Sequence, residues 1–556
     1  MTHAGLHAVA DALTTYMWDR DPLEATLVGF REYDAGLADL SVAAEAEFRQ
    51  RRHELRKQLL EIGNDELDAQ DLLTKAVVLA VLNNMDEFEI AGMDEFTVSD
   101  FPVSPSSALL AYVRMIRITN ASEAAAYVQR LGEIPRFLEQ ATGRLALGRK
   151  HGLTPVAHLV ENAANQIDKY LASSPDVFEL PAPAGWDGAE AWKAEVKAVI
   201  TAQVRPAFVT YRDALRNEVL PTARDKDHVG MCHIANGLER YQALINAHTT
   251  TKRTAAELHE VGLQQVAKIQ DEFRALGEKV FGISDPSTLF KHLNDDPSLR
   301  WRTREEILAA AETAVRRAEA EAPKWFGRLP KDVCRIEEVP DLEAEGSAPA
   351  YYMGPALDGS RPGTYFQNTW KPNERTTFDL ESVAFHEAVP GHHFQICIAQ
   401  EMEELPLIRR LTMFTAYAEG WGLYSERLAD EMGLYSSDLQ RIGMLAADAW
   451  RATRLVVDTG MHAMGWTRQQ ALDYMLANTP IARIDAEAEI DRYIAYAGQA
   501  LSYMTGRLEI ERMRAECARI AGDKFDLRAF HDEVLANGAL PLNVFADTMR
   551  AWATTR

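Results

Sequence analysis

Apolar residues recur every three or four positions along most of this chain, the spacing that lays a stripe on one face of an α-helix. Residues 5 to 60 read as two helices, one opened at Asp21-Pro22, with a long charged segment running from Leu40-Ser41 to Leu60. Asp68 to Asn84 reads as a helix with Leu72, Leu73, Val77, Val78 and Leu82 on its apolar side. Phe101 to Pro105 is a loop, with Ser104 or Ser106 as the cap of the next helix. Ser122 to His151 and Pro155 to Ser173 are helical by period, and Pro181 to Gly188 reads as a linker. Glu190 to Val219 is a long helix with a kink expected at Pro206. Thr254 followed by Glu257 forms a capping-box pattern, opening a helix through Val280. More helix runs from Ser284 to Trp325.

The period changes between Cys334 and Thr369. Pro and Gly multiply there, and Cys334 to Val339, Ala350 to Met353 and Thr364 to Asn368 read as short strands. Helices resume at Asp379 and continue nearly to the end. The pattern is that of a mainly α protein with one small sheet.

Composition narrows the function. The 556 residues are 47% apolar, enough for a sizeable core, and the net charge of −24 argues against nucleic acid or anionic membrane as a partner. Cys232, Cys334, Cys397 and Cys517 are far apart and suggest no disulfide framework. No leader is visible in Met1 to Trp18, and no apolar run approaches a membrane span. These features lead to the expectation of a cytoplasmic location.

Directly after the strand region comes His386-Glu387-Ala388-Val389-Pro390-Gly391-His392-His393. Three histidines and a glutamate surround Pro-Gly, the pair least welcome inside a helix. In His-Glu-x-x-His zinc sites the two histidines are four apart on one helix face. Here that fourth position is Pro390. A wide turn or bulge at Pro390-Gly391 would bring His392 beside His386, with His393 as the alternative.

A catalytic zinc takes three protein ligands and keeps one position open. Glu419, in Ala418-Glu419-Gly420-Trp421-Gly422, is the candidate third ligand, its two glycines allowing another helix close. Glu426 is then a candidate partner for a ligand imidazole. Glu387 is placed to take a proton from water and pass it to a leaving amine. Tyr503, and after it Tyr496, are candidates to stabilise an oxyanion, with Arg507 a possible carboxylate anchor. The strand from Gly363 to Asn368, with Tyr365, is a candidate edge for pairing with a peptide substrate.

The histidine motif, the Tyr417 to Trp421 run and the stretch from Gly498 to Gly506 resemble the bacterial family known as domain of unknown function 885. Asp21 to Thr26, Glu257 to His259 and Arg361 to Tyr365 extend the resemblance over nearly the whole chain. It implies a gluzincin-like metallopeptidase, similar in organisation to thimet-type oligopeptidases and bacterial thermostable carboxypeptidases. That organisation is a two-lobed helical protein with a central channel and a small sheet beside the active-site helix. On this chain it divides as residues 1–185 for one helical lobe, 186–330 for a helical segment completing the channel wall, and 331–556 for the catalytic region. The resemblance implies His386, His392 and Glu419 on Zn2+ and Glu387 as base. The two additional residues Val389-Pro390 keep His393 open as a ligand. Export is common in the family, though no such signal is seen here.

The expected function is hydrolysis of an amide bond in a short peptide or amino-acid conjugate. Two histidines and a carboxylate also describe non-haem iron oxygenases, and a helical binding protein without catalysis is a third reading. The sequence leaves oligomeric state open.

Overall fold

A computed structural model describes residues 3–340, 344 and 348–556. The chain is mainly helical with one three-stranded sheet. The N-terminal part forms three helices, Ala4–Arg20, Pro22–Val28 and Val42–Glu61. Asp68 caps Ala69–Ala91 by accepting from the backbone N–H of Gln70 and Asp71. The buried face of that helix runs through Thr74, Val77, Val78, Val81 and Leu82. Leu72 falls off this face and is 40% exposed, so its expected place on the apolar side is corrected. Ser104 stands at the N-cap of Pro105–Tyr112 without a side-chain cap bond. Near Pro206 the helical run widens into a π turn over Ile200–Val204. The wider turn accommodates a residue that has no N–H to donate.

Helices that build the site are labelled in chain order: α1 Gly237–Thr249, α2 Ala255–Phe281, α3 Leu380–Glu387, α4 His392–Gln400, α5 Thr415–Glu431, α6 Asp438–Met464, α7 Arg483–Ala495 and α8 Ser502–Ala521. The capping box of α2 is formed in both directions by Thr254 and Glu257. Helix α6 is buried along most of its length, from Ile442 to His462, so it runs through the interior. Helix α5 is buried on nearly every side between Ala416 and Ala429.

Strands β1 (Arg335–Glu338), β2 (Ala350–Met353) and β3 (Thr364–Gln367) are ordered β1-β3-β2. β3 is parallel to β1 and antiparallel to β2, with Tyr365 opposite Ile336 and Tyr352. The sheet joins one large apolar cluster, in which Leu6, Leu13, Leu55 and Val78 pack with Phe385, Trp421, Phe530 and Phe545. The start of the chain thus shares one core with the helices of the histidine motif, and its first helix packs on Leu407–Leu411. A second cluster lies within residues 23–219, built around Leu131, Phe178 and Phe208. Among the described residues, no helix is long and apolar enough to cross a membrane.

Candidate metal centre

Helix α3 stops directly after His386 and Glu387. Ala388 still donates to Ala384 O at 2.9 Å, but the chain then turns, and α4 begins at His392. The expected bulge within one bent helix is therefore corrected to a break between two short helices. Pro390 has no N–H with which to continue the ladder. Gly391 lies so close to the end of α3 that a Cβ there would sit 1.8 Å from His386 O. The break brings the His386 and His392 rings to a centroid distance of 4.8 Å at 89°. From α5, Trp421 Nε1 donates to Pro390 O at 2.9 Å and Ser425 Oγ donates to the same oxygen at 3.4 Å.

Glu419 on α5 completes the cluster. Its Oε2 lies 3.4 Å from His386 Nε2 and 3.4 Å from His392 Nε2. The three donor atoms lie within 4.8 Å of one another. Zinc bonds of about 2.0–2.1 Å at a tetrahedral angle separate neighbouring donors by roughly 3.4 Å. The donor set of two nitrogens and one oxygen, at this spacing, fits a zinc ion.

The surroundings fix the imidazole of His386. Glu426 Oε1 accepts from His386 Nδ1 at 2.8 Å, leaving Nε2 turned to Glu419. Ser382 donates to the other Glu426 oxygen at 2.6 Å, and Arg451 Nη2 stands 3.7 Å from Oε1. Gly422 gives the ring its space, since a Cβ there would lie 2.7 Å from His386 Cε1 and Nε2. Gly420, one residue from Glu419, touches the backbone of Gly506, so α5 and α8 cross at a pair of glycines. Burial works against charge on His386, but the carboxylates of Glu419, Glu426 and Glu387 overcome it and hold the ring at about 9. Burial likewise pushes the Glu419 carboxyl up, and hydrogen bonds to His386 and His392 more than reverse this. Three carboxylates around two imidazoles make a place that favours a cation.

Glu387 is partly exposed and makes no hydrogen bond or ion pair with a described residue. Burial raises its pKa above the ordinary carboxylate value, opposed by nearby His386 and His392. Tyr503 lies against His386, ring centroids 6.2 Å apart and nearly parallel, with Arg454 4.4 Å over its face. Tyr496 stands further back, edge-on to His248 at 5.2 Å.

Other expected site residues go elsewhere. His393 is buried, its Nδ1 on Tyr352 Oη at 2.9 Å and its Nε2 on Asp332 O at 3.0 Å, so both ring nitrogens are taken and it does not join the cluster. Arg507 is 2% exposed and paired with buried Asp448, which removes it as a substrate anchor. Tyr365 is fully buried and bonded to Gln367, so it presents no surface to a substrate. The expected edge strand is corrected too, because β3 is the middle strand and both its edges are paired. Trp421 lies in the run read around Glu419, whereas Ser382 and Arg451 are additions from the structure. Ser382 lies one turn before His386, the spacing that puts two side chains on one face; nothing local marks Arg451.

The family model described as "Bacterial protein of unknown function (DUF885)" matches residues 22–549. The chain belongs to the DUF885 family. No curated protein matches it. Among solved structures, a "putative lipoprotein" from Colwellia psychrerythraea aligns with a TM-score of 0.91 at 27% identity, covering 99% of each chain. A "putative lipoprotein of unknown function" from Shewanella oneidensis aligns with a TM-score of 0.75 at 19% identity, covering 99% of this chain and 100% of that one, and shares the fold. These descriptions stand against the cytoplasmic location expected above, which is withdrawn. That expectation rested on the make-up of Met1 to Trp18 and on the spread of the four cysteines, and neither fixes a compartment.

Proposed function

We propose that this DUF885 chain is a zinc-dependent amide hydrolase of the gluzincin-like type, acting on a short peptide or an amino-acid conjugate. The observation that carries this reading is the donor geometry: His386, His392 and Glu419 at zinc spacing, beside a carboxylate that no described residue engages. Zinc held by these three side chains supplies Lewis acidity toward a carbonyl and toward water.

The protein's own groups supply the rest. Glu426 and Ser382 fix the tautomer and plane of His386. Glu387 accepts the proton of the attacking water and returns it to the leaving nitrogen, and its raised pKa suits a group that must do both. Tyr503, held by the His386 stack and Arg454, is the candidate hydrogen-bond donor to the developing oxyanion. Digestion of a mixed peptide library by the zinc-loaded protein, read by mass spectrometry, tests this proposal. New termini produced by the wild type and missing with the Glu387→Gln variant support it. An unchanged library, or iron in place of zinc after purification, counts against it.

A further inference from the structure

Donors converge on the oxygen of Tyr503. Gln499 Nε2 donates to Tyr503 Oη at 3.5 Å, and Arg492 Nη2 donates to Gln499 Oε1 at 2.6 Å. An arginine has no acceptor, so this contact fixes which end of the Gln499 amide meets it and turns the NH2 group toward Tyr503. Arg492 also acts as a donor to the Tyr503 hydroxyl itself. Gln499 is 7% exposed and Tyr503 8%, so water has little access to either.

One carboxylate holds the cations in place. Glu489 accepts from Arg492 Nη1 at 3.2 and 3.3 Å and from Arg454 Nη2 at 3.1 Å. Arg454 Nε donates to Tyr493 Oη at 2.7 Å while its guanidinium covers the Tyr503 ring. Burial pushes the Glu489 carboxyl up, and Arg492 and Arg454 bring it down to about 2, so it stays charged. The segment that joins α7 to α8 is anchored as well. Gly498 has a φ of +81°, which suits glycine, and its N–H donates to the two oxygens of buried Asp458 at 3.2 and 3.3 Å. Ser502 Oγ donates to His248 O of α1 at 3.0 Å.

The relay runs in one direction. A phenol oxygen that accepts from Gln499 and Arg492 has its lone pairs occupied, and its own hydrogen is the group left to donate. No described residue accepts that hydrogen. Bonds in such a row polarise one another, so the 3.5 Å contact strengthens as the phenol hydrogen is engaged. A donor to an oxyanion is most effective when it is oriented before the reaction begins.

We propose that Gln499 is a positioning residue for the reaction: backed by Arg492, it fills the acceptor side of the Tyr503 hydroxyl and so commits the phenolic hydrogen to the oxyanion. The proposal rests on the hydrolase reading above. It adds a residue that acts through Tyr503 and touches neither the metal ligands nor the reacting amide.

The test is a double-mutant cycle between Gln499→Glu and Tyr503→Phe in the full zinc-loaded chain, with kcat and KM measured on a peptide that the wild type cleaves. Gln499→Glu keeps the acceptor for Arg492 and reverses the contact to Tyr503, since a carboxylate draws the phenolic hydrogen to itself. Tyr503→Phe is expected to lower kcat by about 10²–10³-fold. Gln499→Glu is expected to lower kcat at least about tenfold with KM changed by less than about twofold, and to add nothing in the Tyr503→Phe background. Gln499→Leu, which removes the amide without reversing it, is expected to lose less than Gln499→Glu. A merely structural role gives the opposite order, because leucine strips Arg492 of its acceptor. Should Gln499→Glu fail to fold, Gln499→Leu runs the same cycle. Unchanged kcat, or losses that multiply in the double variant, would overturn the proposal.

A second measurement separates it from the hydrolase reading. Tyrosine labelled with carbon-13 at Cζ reports the hydrogen bonding of each phenol, and Tyr503→Phe assigns the resonance. The Tyr503 resonance is expected to move in Gln499→Glu. Absence of turnover by the wild type would defeat the hydrolase reading, and the resonance then decides the relay alone: a shift keeps it, and an unmoved resonance overturns it.

Discussion

Trp421 reaches from α5 to donate its indole N–H to the carbonyl of Pro390 at 2.9 Å. The helix that carries Glu419 thus holds the turn that aims His392. The distance between the histidine pair and the third donor is set by this bond and by the ring beneath it, since Trp421 is fully buried.

Trp421→Phe is expected to keep the fold and loosen the site. Losing one buried hydrogen bond, with the longer Ser425 bond left on the Pro390 carbonyl, costs about 0.5–1.5 kcal/mol. The larger effect is expected in zinc affinity, measured by competition with a chelator, with a fall of roughly tenfold. An affinity equal to wild type would show that the turn is positioned without this bond.

Glu426→Gln removes the charge that orients His386 while keeping its shape. Replacing such an outer partner commonly costs about 10–100-fold in metal affinity, and that range is expected here. Ser382→Ala, which leaves Glu426 in place, is expected to give a smaller loss in the same chelator competition.

The two glycines beside Glu419 have different jobs and give different outcomes. An alanine Cβ at Gly420 would lie 2.5 Å from the Gly506 backbone, forcing α5 and α8 apart. Gly420→Ala is therefore expected to lower thermal stability, by about 1–3 kcal/mol for overpacking. At Gly422 the same Cβ would meet a side chain, the ring of His386, and push it away from Glu426 and Glu419. Gly422→Ala is expected to keep more of its stability and to lose zinc. Thermal melts and metal analysis of the pair distinguish them.

His462 and His531 are each expected to withdraw stability as pH drops from about 6.5 to about 4, against the opposite contribution of buried Asp458, raised to about 7. Burial lowers His462 and His531 from 6.5 to about 4. His531 donates from Nδ1 to Trp325 O at 3.0 Å and accepts from the Tyr424 hydroxyl at 2.9 Å, a neutral arrangement. Below 6.5 the unfolded chain takes up protons that the folded chain refuses, so unfolding gains about 1.4 kcal/mol per pH unit for each such group. Urea denaturation at several pH values is expected to show that His531→Gln loses less stability than wild type between about pH 6.5 and 4.

Local signals in the sequence were sufficient for much of this fold. The capping box at Thr254 and Glu257 and the cap at Asp68 are formed by neighbours along the chain, so spacing reveals them. The strand region was also legible, because Pro, Gly and β-branched residues change the period there. Strand order was not, since it depends on β1 pairing with β3 across an intervening strand. The fates of Arg507 and Tyr365 were hidden for a similar reason. The Asp448 that claims Arg507 is 59 positions away, and no local pattern joins them. His392 and His393 are adjacent in sequence and look alike. Their separation comes from the turn at Pro390, which sends one ring to Glu419 and the other to Tyr352.

Zinc content and peptide turnover, measured side by side on wild type, His392→Ala and Glu387→Gln, test the central claim most directly. The account predicts one zinc per chain in wild type and in Glu387→Gln, and a large loss in His392→Ala. It predicts turnover in wild type alone, with Glu387→Gln lower by about 10²–10⁴-fold. Zinc retained in full by His392→Ala, or turnover by Glu387→Gln equal to wild type, would contradict it.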